Sequence, residues 1–149
     1  MQRINELLVP DTQRGMFVSL FYALLDTRTG GLTYANAGHN PPLLIRAEGQ
    51  LEALRAPGLV LGVQLKIEPE MDHRRLASGD GVVFYTDGVT EVFDASAAAF
   101  GEERLKAILQ EYWAEGPQTI VEKIREAVNA FSATAQPTDD FTLLVIRRK

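Results

Sequence analysis

The sequence predicts an α+β fold, a layered antiparallel β-sandwich flanked by helices. Three observations carry this expectation. Short apolar runs separated by turns rich in Gly, Pro and Asp fill the chain as far as Tyr85, the pattern of antiparallel strands. Two segments of helical periodicity then follow one another. A last apolar run closes the chain.

Residues 2–9 read as a short helix, with Ile4, Leu7 and Leu8 at helical spacing, ended by Pro10-Asp11. Residues 17–25 are aromatic-rich and apolar on both faces, which predicts a buried strand. Residues 26–31 carry turn chemistry with Gly30-Gly31, and 32–37 form the returning strand of a hairpin. Residues 38–42 break the chain before a third strand at 43–45, and Glu48-Gly49-Gln50 is the next turn. A glycine-flanked apolar loop follows at 58–62, then a polar, partly alternating strand over 64–76. The turn at 78–81 opens the apolar run 82–85. Leu105, Ile108, Leu109 and Tyr112 share one helix face. After Gly116-Pro117 a second helix aligns Ile120, Ile124, Val128 and Phe131, proline being well suited to an early helical position. Residues 95–100 fit either a loop or an extra helical turn. Thr138-Asp139-Asp140 is a turn before the last strand, 141–146.

Composition narrows the chemistry. At 149 residues the chain is expected to be one domain, residues 1–149. Apolar residues at 46% and charged residues at 23% are ordinary for a globular protein and exclude a disordered tail. The net charge of −5 and the lack of any basic run longer than Arg147-Arg148-Lys149 argue against nucleic acid as a partner. Cysteine is absent, which excludes disulfides, thiolate metal sites and cysteine nucleophiles. With only His39 and His73 available, a metal must be held by oxygen, which points to magnesium, manganese or calcium. The longest mostly apolar stretch, residues 16–25, is too short to span a bilayer, and the N-terminus shows no signal peptide. A cytoplasmic location is therefore expected.

Two acidic turns stand out. Asp87 follows the strand 82–85, and Asp139-Asp140 precede the strand 141–146. If those strands are antiparallel neighbours, Asp87 and Asp139 meet at one end of the sheet, where a hard divalent cation could bind. Each turn also has a plain structural reading, since Asp-Gly favours turns and Asp can satisfy turn amides. His39, in a Gly-His-Asn-Pro-Pro turn, could act as an acid or base but more often such a residue fixes the turn. His73 lies among charges and is expected to be solvated. No Gly-x-Ser-x-Gly elbow, Walker loop or Gly-x-Gly-x-x-Gly occurs.

Four motifs stand in a recognisable order: residues 34–42 (Tyr-Ala-Asn-Ala-Gly-His-Asn-Pro-Pro), 84–91 (Phe-Tyr-Thr-Asp-Gly-Val-Thr-Glu), 100–105 (Phe-Gly-Glu-Glu-Arg-Leu) and 139–145 (Asp-Asp-Phe-Thr-Leu-Leu-Val). Through them nearly the whole chain resembles the stage II sporulation protein E type of PPM serine/threonine phosphatase. The resemblance implies two packed antiparallel sheets flanked by helix pairs. It implies hydrolysis of phosphoserine or phosphothreonine with Mn2+ or Mg2+ at a binuclear carboxylate site. It makes Asp87 and Asp139 metal ligands, with Asp140 as the second choice. It also implies a phosphorylated STAS-type anti-anti-sigma protein as substrate. The family's early Gly-Asp and Asp-x-Ser-Gly motifs do not occur, and Asp11 and Asp26 lie in the wrong surroundings to replace them. The domain is therefore expected to be N-terminally incomplete, lacking its first strands, with the chain alone inactive. Self-association or pairing with the missing segment follows from that expectation. Two other functions compete: a non-catalytic phosphatase-like interaction module, and a structural sandwich whose acidic turns carry no chemistry.

Overall fold

The computed structural model describes residues 1–12, 15–132 and 140–149. They form two compact units, each made of two stretches of chain. One comprises Met1–Pro41 and Leu54–Leu76; the other comprises Pro42–Ala53 and Ala77–Lys149.

The first unit holds helix α1 (Gln2–Leu8) and strands β1 (Leu20–Leu25), β2 (Gly31–Ala37) and β5 (Met71–Arg75), in the antiparallel order β1-β2-β5. Central strand β2 is the buried one. Leu32 and Tyr34 are each 1% exposed, and Tyr34 stacks on Phe21 with ring centroids 5.4 Å apart. Strand β1 differs from its expectation. Among the described residues it pairs only with β2, at the edge of its sheet, and it is not buried: Tyr22, Leu24 and Leu25 are exposed, as are Phe17 and Val18 before it. The register sets Tyr22 opposite Ala35, which in turn faces Met71, and all three side chains share one face of the sheet.

Helix α1 forms where expected, yet its apolar spacing misidentifies the buried face. Leu8 packs with Ala37, Leu61 and Ile67, whereas Ile4 and Leu7 are exposed. The fully buried residue is Asn5, whose amide donates to the Gln64 carbonyl at 2.8 Å and accepts from the Gly62 N–H at 2.9 Å. Gln2 likewise donates to the Leu65 carbonyl and accepts from the Ile67 N–H. These side-chain bonds satisfy backbone groups over residues 62–67 that a strand ladder would otherwise use. The strand expected over 64–76 accordingly shortens to Met71–Arg75.

The second unit holds β3 (Leu43–Ile45), β4 (Leu51–Ala53), β6 (Gly81–Tyr85), a single helical turn α2 (Asp87–Thr90), α3 (Gly101–Tyr112), a 3-10 turn at Trp113–Glu115, α4 (Pro117–Phe131) and β7 (Leu143–Arg147). Its sheet is antiparallel in the order β4-β3-β6-β7. The helix periodicities hold. Leu105 and Leu109 of α3, and Ile120, Ile124 and Val128 of α4, join Leu43, Ile45, Val83, Tyr85 and Trp113 in one core. Full burial of each such aliphatic side chain contributes about 1.5–3 kcal/mol, more than the helix propensity of any one residue. The structure thus has the expected α+β composition with two antiparallel sheets.

One buried carboxylate ties the turns of the second unit together. Asp80, 3% exposed, accepts from the Ala77 and Ala47 N–H groups and from the Arg46 guanidinium, each at 2.9 Å. Burial alone would raise its pKa. The Ala77 N–H, Arg46 and the Ala47 N–H outweigh burial and hold the carboxyl below the usual carboxylate range.

Candidate functional site

Strands β6 and β7 are antiparallel neighbours, with Tyr85 opposite Leu143. The end of β6 therefore lies beside the start of β7, as the metal-site expectation requires. The junction is closed by Thr86. Its N–H donates to the Thr142 carbonyl at 3.2 Å, and its hydroxyl accepts from the Thr142 N–H at 3.2 Å and donates to the Asp140 carbonyl at 3.0 Å. The hydroxyl is thereby committed across the junction and does not cap α2. Immediately after it, Gly88 packs against the Asp140 main chain so closely that a Cβ there would collide with the Asp140 carbonyl.

Asp87 is the first residue of α2, where a turn was expected. Its side chain is exposed, and Oδ1 accepts from the Gly88 N–H at 3.0 Å. Asp140 is exposed too, and its main chain is fixed against residues 86–88. Asp139 lies outside the described residues. Among the described residues, no group of three or more Asp, Glu, His or Cys side chains is gathered closely enough to hold an ion. The donors at this junction are carboxylates, hard oxygen ligands suited to Mg2+ or Mn2+. Asp87 supplies one, with Asp140 held beside it.

Both histidines belong to the first unit. In the first unit, the Asn36 side chain clamps the His39 main chain, donating to its carbonyl at 2.8 Å and accepting from its N–H at 2.7 Å. The His39 ring shares a 3.1 Å hydrogen bond with Ser19 Oγ. The turn is thus held by the Asn36 side chain, and the His39 ring reaches across to the residue before β1. His73 is exposed and shares a 3.0 Å hydrogen bond with Thr33 Oγ1.

The alanine-rich segment after α2 is a loop closed on itself. Phe93 and Ala99 form an antiparallel bridge, and the Phe100 N–H donates to the Val92 carbonyl at 2.7 Å. Asp94 Oδ1 accepts from the Ser96 hydroxyl, the Ser96 N–H and the Ala98 N–H. The Ser96 hydroxyl foremost, with the Ala98 and Ser96 N–H groups, holds the Asp94 carboxyl below its usual range. The role of Thr86 in closing the junction is not legible in the sequence. Threonine beside an Asp-Gly turn is common, and nothing in the spacing shows that its hydroxyl spans to a residue 54 positions later.

The sequence profile described as Stage II sporulation protein E (SpoIIE) matches residues 1–149. The chain belongs to the SpoIIE family. It is 29% identical over 150 residues to phosphoserine phosphatase RsbU of Bacillus subtilis (strain 168), covering all of this chain and 44% of RsbU. Its fold matches the PP2C phosphatase domain, with part of the regulatory domain, of the cell fate determinant SpoIIE from Bacillus subtilis: TM-score 0.77 at 22% identity, covering 97% of this chain and 42% of that one. It also matches the SiaA-PP2C domain of Pseudomonas aeruginosa, with TM-score 0.76 at 18% identity over 87% of this chain and 51% of the other. This SpoIIE-family chain thus spans about half or less of these relatives. Its α+β fold is that of PP2C-type phosphatase domains.

Proposed function

We propose that this chain is part of a divalent-metal-dependent protein serine/threonine phosphatase. In this reading Asp87 and Asp139 hold Mn2+ or Mg2+, and Asp140 is the alternative ligand to Asp139. The observation that carries the reading is the junction at Thr86–Gly88, which fixes Asp87 beside the residues that enter β7. The match to a phosphoserine phosphatase over the whole chain supports the reaction class. The chemistry supplied by bound divalent cations is a water of lowered pKa and positive charge against the phosphoryl oxygens. The protein's own task is then placement. Thr86 locks the two strand ends, Gly88 lets them approach, and the Asp87 carboxylate faces the solvent from which cation and phosphoprotein arrive. No side-chain nucleophile is needed, in keeping with a chain that has no cysteine.

The substrate proposed is a phosphorylated STAS-type regulatory protein in bacterial signal transduction, on the strength of the family resemblance. Two aspartates are few for a binuclear site. The 149-residue chain by itself is therefore expected to turn over a phosphoserine protein slowly or not at all. Mn2+ titration followed by electron paramagnetic resonance tests the metal reading directly. Asp87→Asn and Asp139→Asn should each weaken binding about tenfold or more. Mn2+ affinity unchanged in both variants would refute it.

A further inference from the structure

The described residues of the second unit expose three large apolar side chains, Phe93, Phe141 and Leu144, and chain geometry bounds how far two of them, Phe93 and Phe141, stand from Asp87. The Phe141 main-chain nitrogen lies 3.3 Å from a Cβ built on Gly88, the residue after Asp87. Phe93 stands two residues beyond Glu91, whose N–H donates to the Asp87 carbonyl at 2.7 Å. One α-turn covers about 6 Å, and two further residues reach at most about 7.6 Å. Phe93 is therefore within about 14 Å of Asp87. It is also held in place, because it bridges to Ala99 across the loop that Asp94 ties. An aromatic ring kept 42% exposed on a hydrogen-bonded loop is apolar surface that folding has not used.

We propose that Phe93 and Phe141 form an aromatic rim that recognises the protein segment around the phosphorylated residue, one bearing apolar side chains within about four positions of it. The reach sets that limit, since an extended segment covers about 3.3 Å per residue. Charge favours a basic residue in the same segment. Asp87, Glu91 and Asp140 are exposed around the turn. The neighbouring Arg104 is turned to the Ala99 and Phe100 carbonyls and the Phe131 ring. The proposal rests on the phosphatase reading for the position of the phosphate and adds to it what the site selects beside that phosphate. A small phosphate ester would not touch the rim; a protein segment would.

Binding separates the two readings without requiring turnover. Fluorescein-labelled phosphoserine peptides of equal length and charge, flanked by leucine in one and serine in the other, are titrated with the 149-residue chain in Mn2+ and in EDTA. The leucine peptide should bind about tenfold tighter. Phe93→Ala and Phe141→Ala should each reduce that preference at least about threefold without shifting the melting temperature, and Phe93→Leu should keep most of it. Equal affinities, a preference that survives both alanine substitutions, or no binding up to about 1 mM would overturn the rim. A preference lost on alanine substitution but independent of both Mn2+ and the phosphate would uphold the rim and refute the phosphatase reading. Mn2+-dependent phosphate binding with no leucine preference would do the reverse.

Discussion

Replacing Asp80 with asparagine tests how the second unit is held together. The carboxylate serves three donors with two oxygens: Oδ1 takes the Ala47 N–H, and Oδ2 takes the Ala77 N–H and Arg46 Nη1. An asparagine keeps one oxygen. If that oxygen sits at the Oδ2 position, the new NH2 faces the Ala47 N–H; if it sits at Oδ1, the NH2 faces both Ala77 and Arg46. Either way at least one donor is opposed by a donor, at a cost of about 1–3 kcal/mol. The charge that strengthens the remaining bonds is lost as well, and Arg46 is left with Glu52 at 3.8 Å as its other carboxylate. The expected loss is about 2–3 kcal/mol, or about 5–10 °C in melting temperature for a chain of this size.

Acid provides an independent check on the same residue. The Asp80 carboxyl is held below its ordinary value in the folded state, so the stability it contributes is present above the unfolded carboxylate pKa. That stability is lost as pH falls from about 4 through the lower folded value. Urea unfolding of wild type and Asp80→Asn at fixed protein concentration should therefore show a gap near pH 7 that narrows below pH ~4. A gap smaller than about 0.5 kcal/mol at neutral pH, or one that widens in acid, would refute the assignment of Asp80 as the pin of these turns.

Other substitutions probe the rest of the structure. Gly88→Ala should destabilise the chain by about 1–3 kcal/mol and weaken Mn2+ binding, because its Cβ meets the Asp140 main chain, which cannot swing aside like a side chain; an unchanged melt would refute the close approach. Asn5→Ala removes the buried amide that joins α1 to residues 62–65 and should cost about 2 kcal/mol, with faster hydrogen exchange confined to α1 and that segment. The edge position of β1 among the described residues and the exposed Tyr22, Leu24 and Met71 should make the apparent mass rise with concentration in light scattering. A constant monomer mass would show that this face tolerates water.

What the sequence discloses depends on how local the cause is. The stripes through Leu105 and Leu109, and through Ile120, Ile124 and Val128, are local consequences of a 3.6-residue period, and they are buried as expected. Strands β6 and β7 are legible as short apolar runs bounded by turns, whereas their pairing is a long-range contact that the sequence leaves as a supposition. Strand β1 was misjudged because apolar composition does not distinguish a central strand from an edge strand; the missing information is how many neighbours it pairs with. Helix α1 forms where its periodicity puts it, but its buried anchor is an asparagine at an apparently polar position. Its partners are main-chain groups some sixty residues away, and these leave no mark in side-chain periodicity. The motif marks Asp87 as an acidic residue beside a strand end, and the structure puts it there, at the start of α2; the exposure of Phe93 leaves no mark in the sequence.

The placement of Asp87 depends on the residues on either side of it. In Thr86-Asp87-Gly88 only the aspartate offers a charge, yet the neighbours determine where that charge stands. The threonine hydroxyl makes two hydrogen bonds across the junction, one as donor and one as acceptor; valine's methyl can make neither, and serine could make both only with a freer rotor to hold in place. The glycine removes the one carbon that would force the chains apart. A carboxylate on a single strand end can relax away from a partner by an ångström or more. Here the main chain that carries the Asp87 carboxylate is held between two cross-linked strand ends, which narrows the positions the carboxylate can reach. The three residue types in that order are thus one device for positioning a single carboxylate, and this is why the short motif carries more information than its aspartate alone.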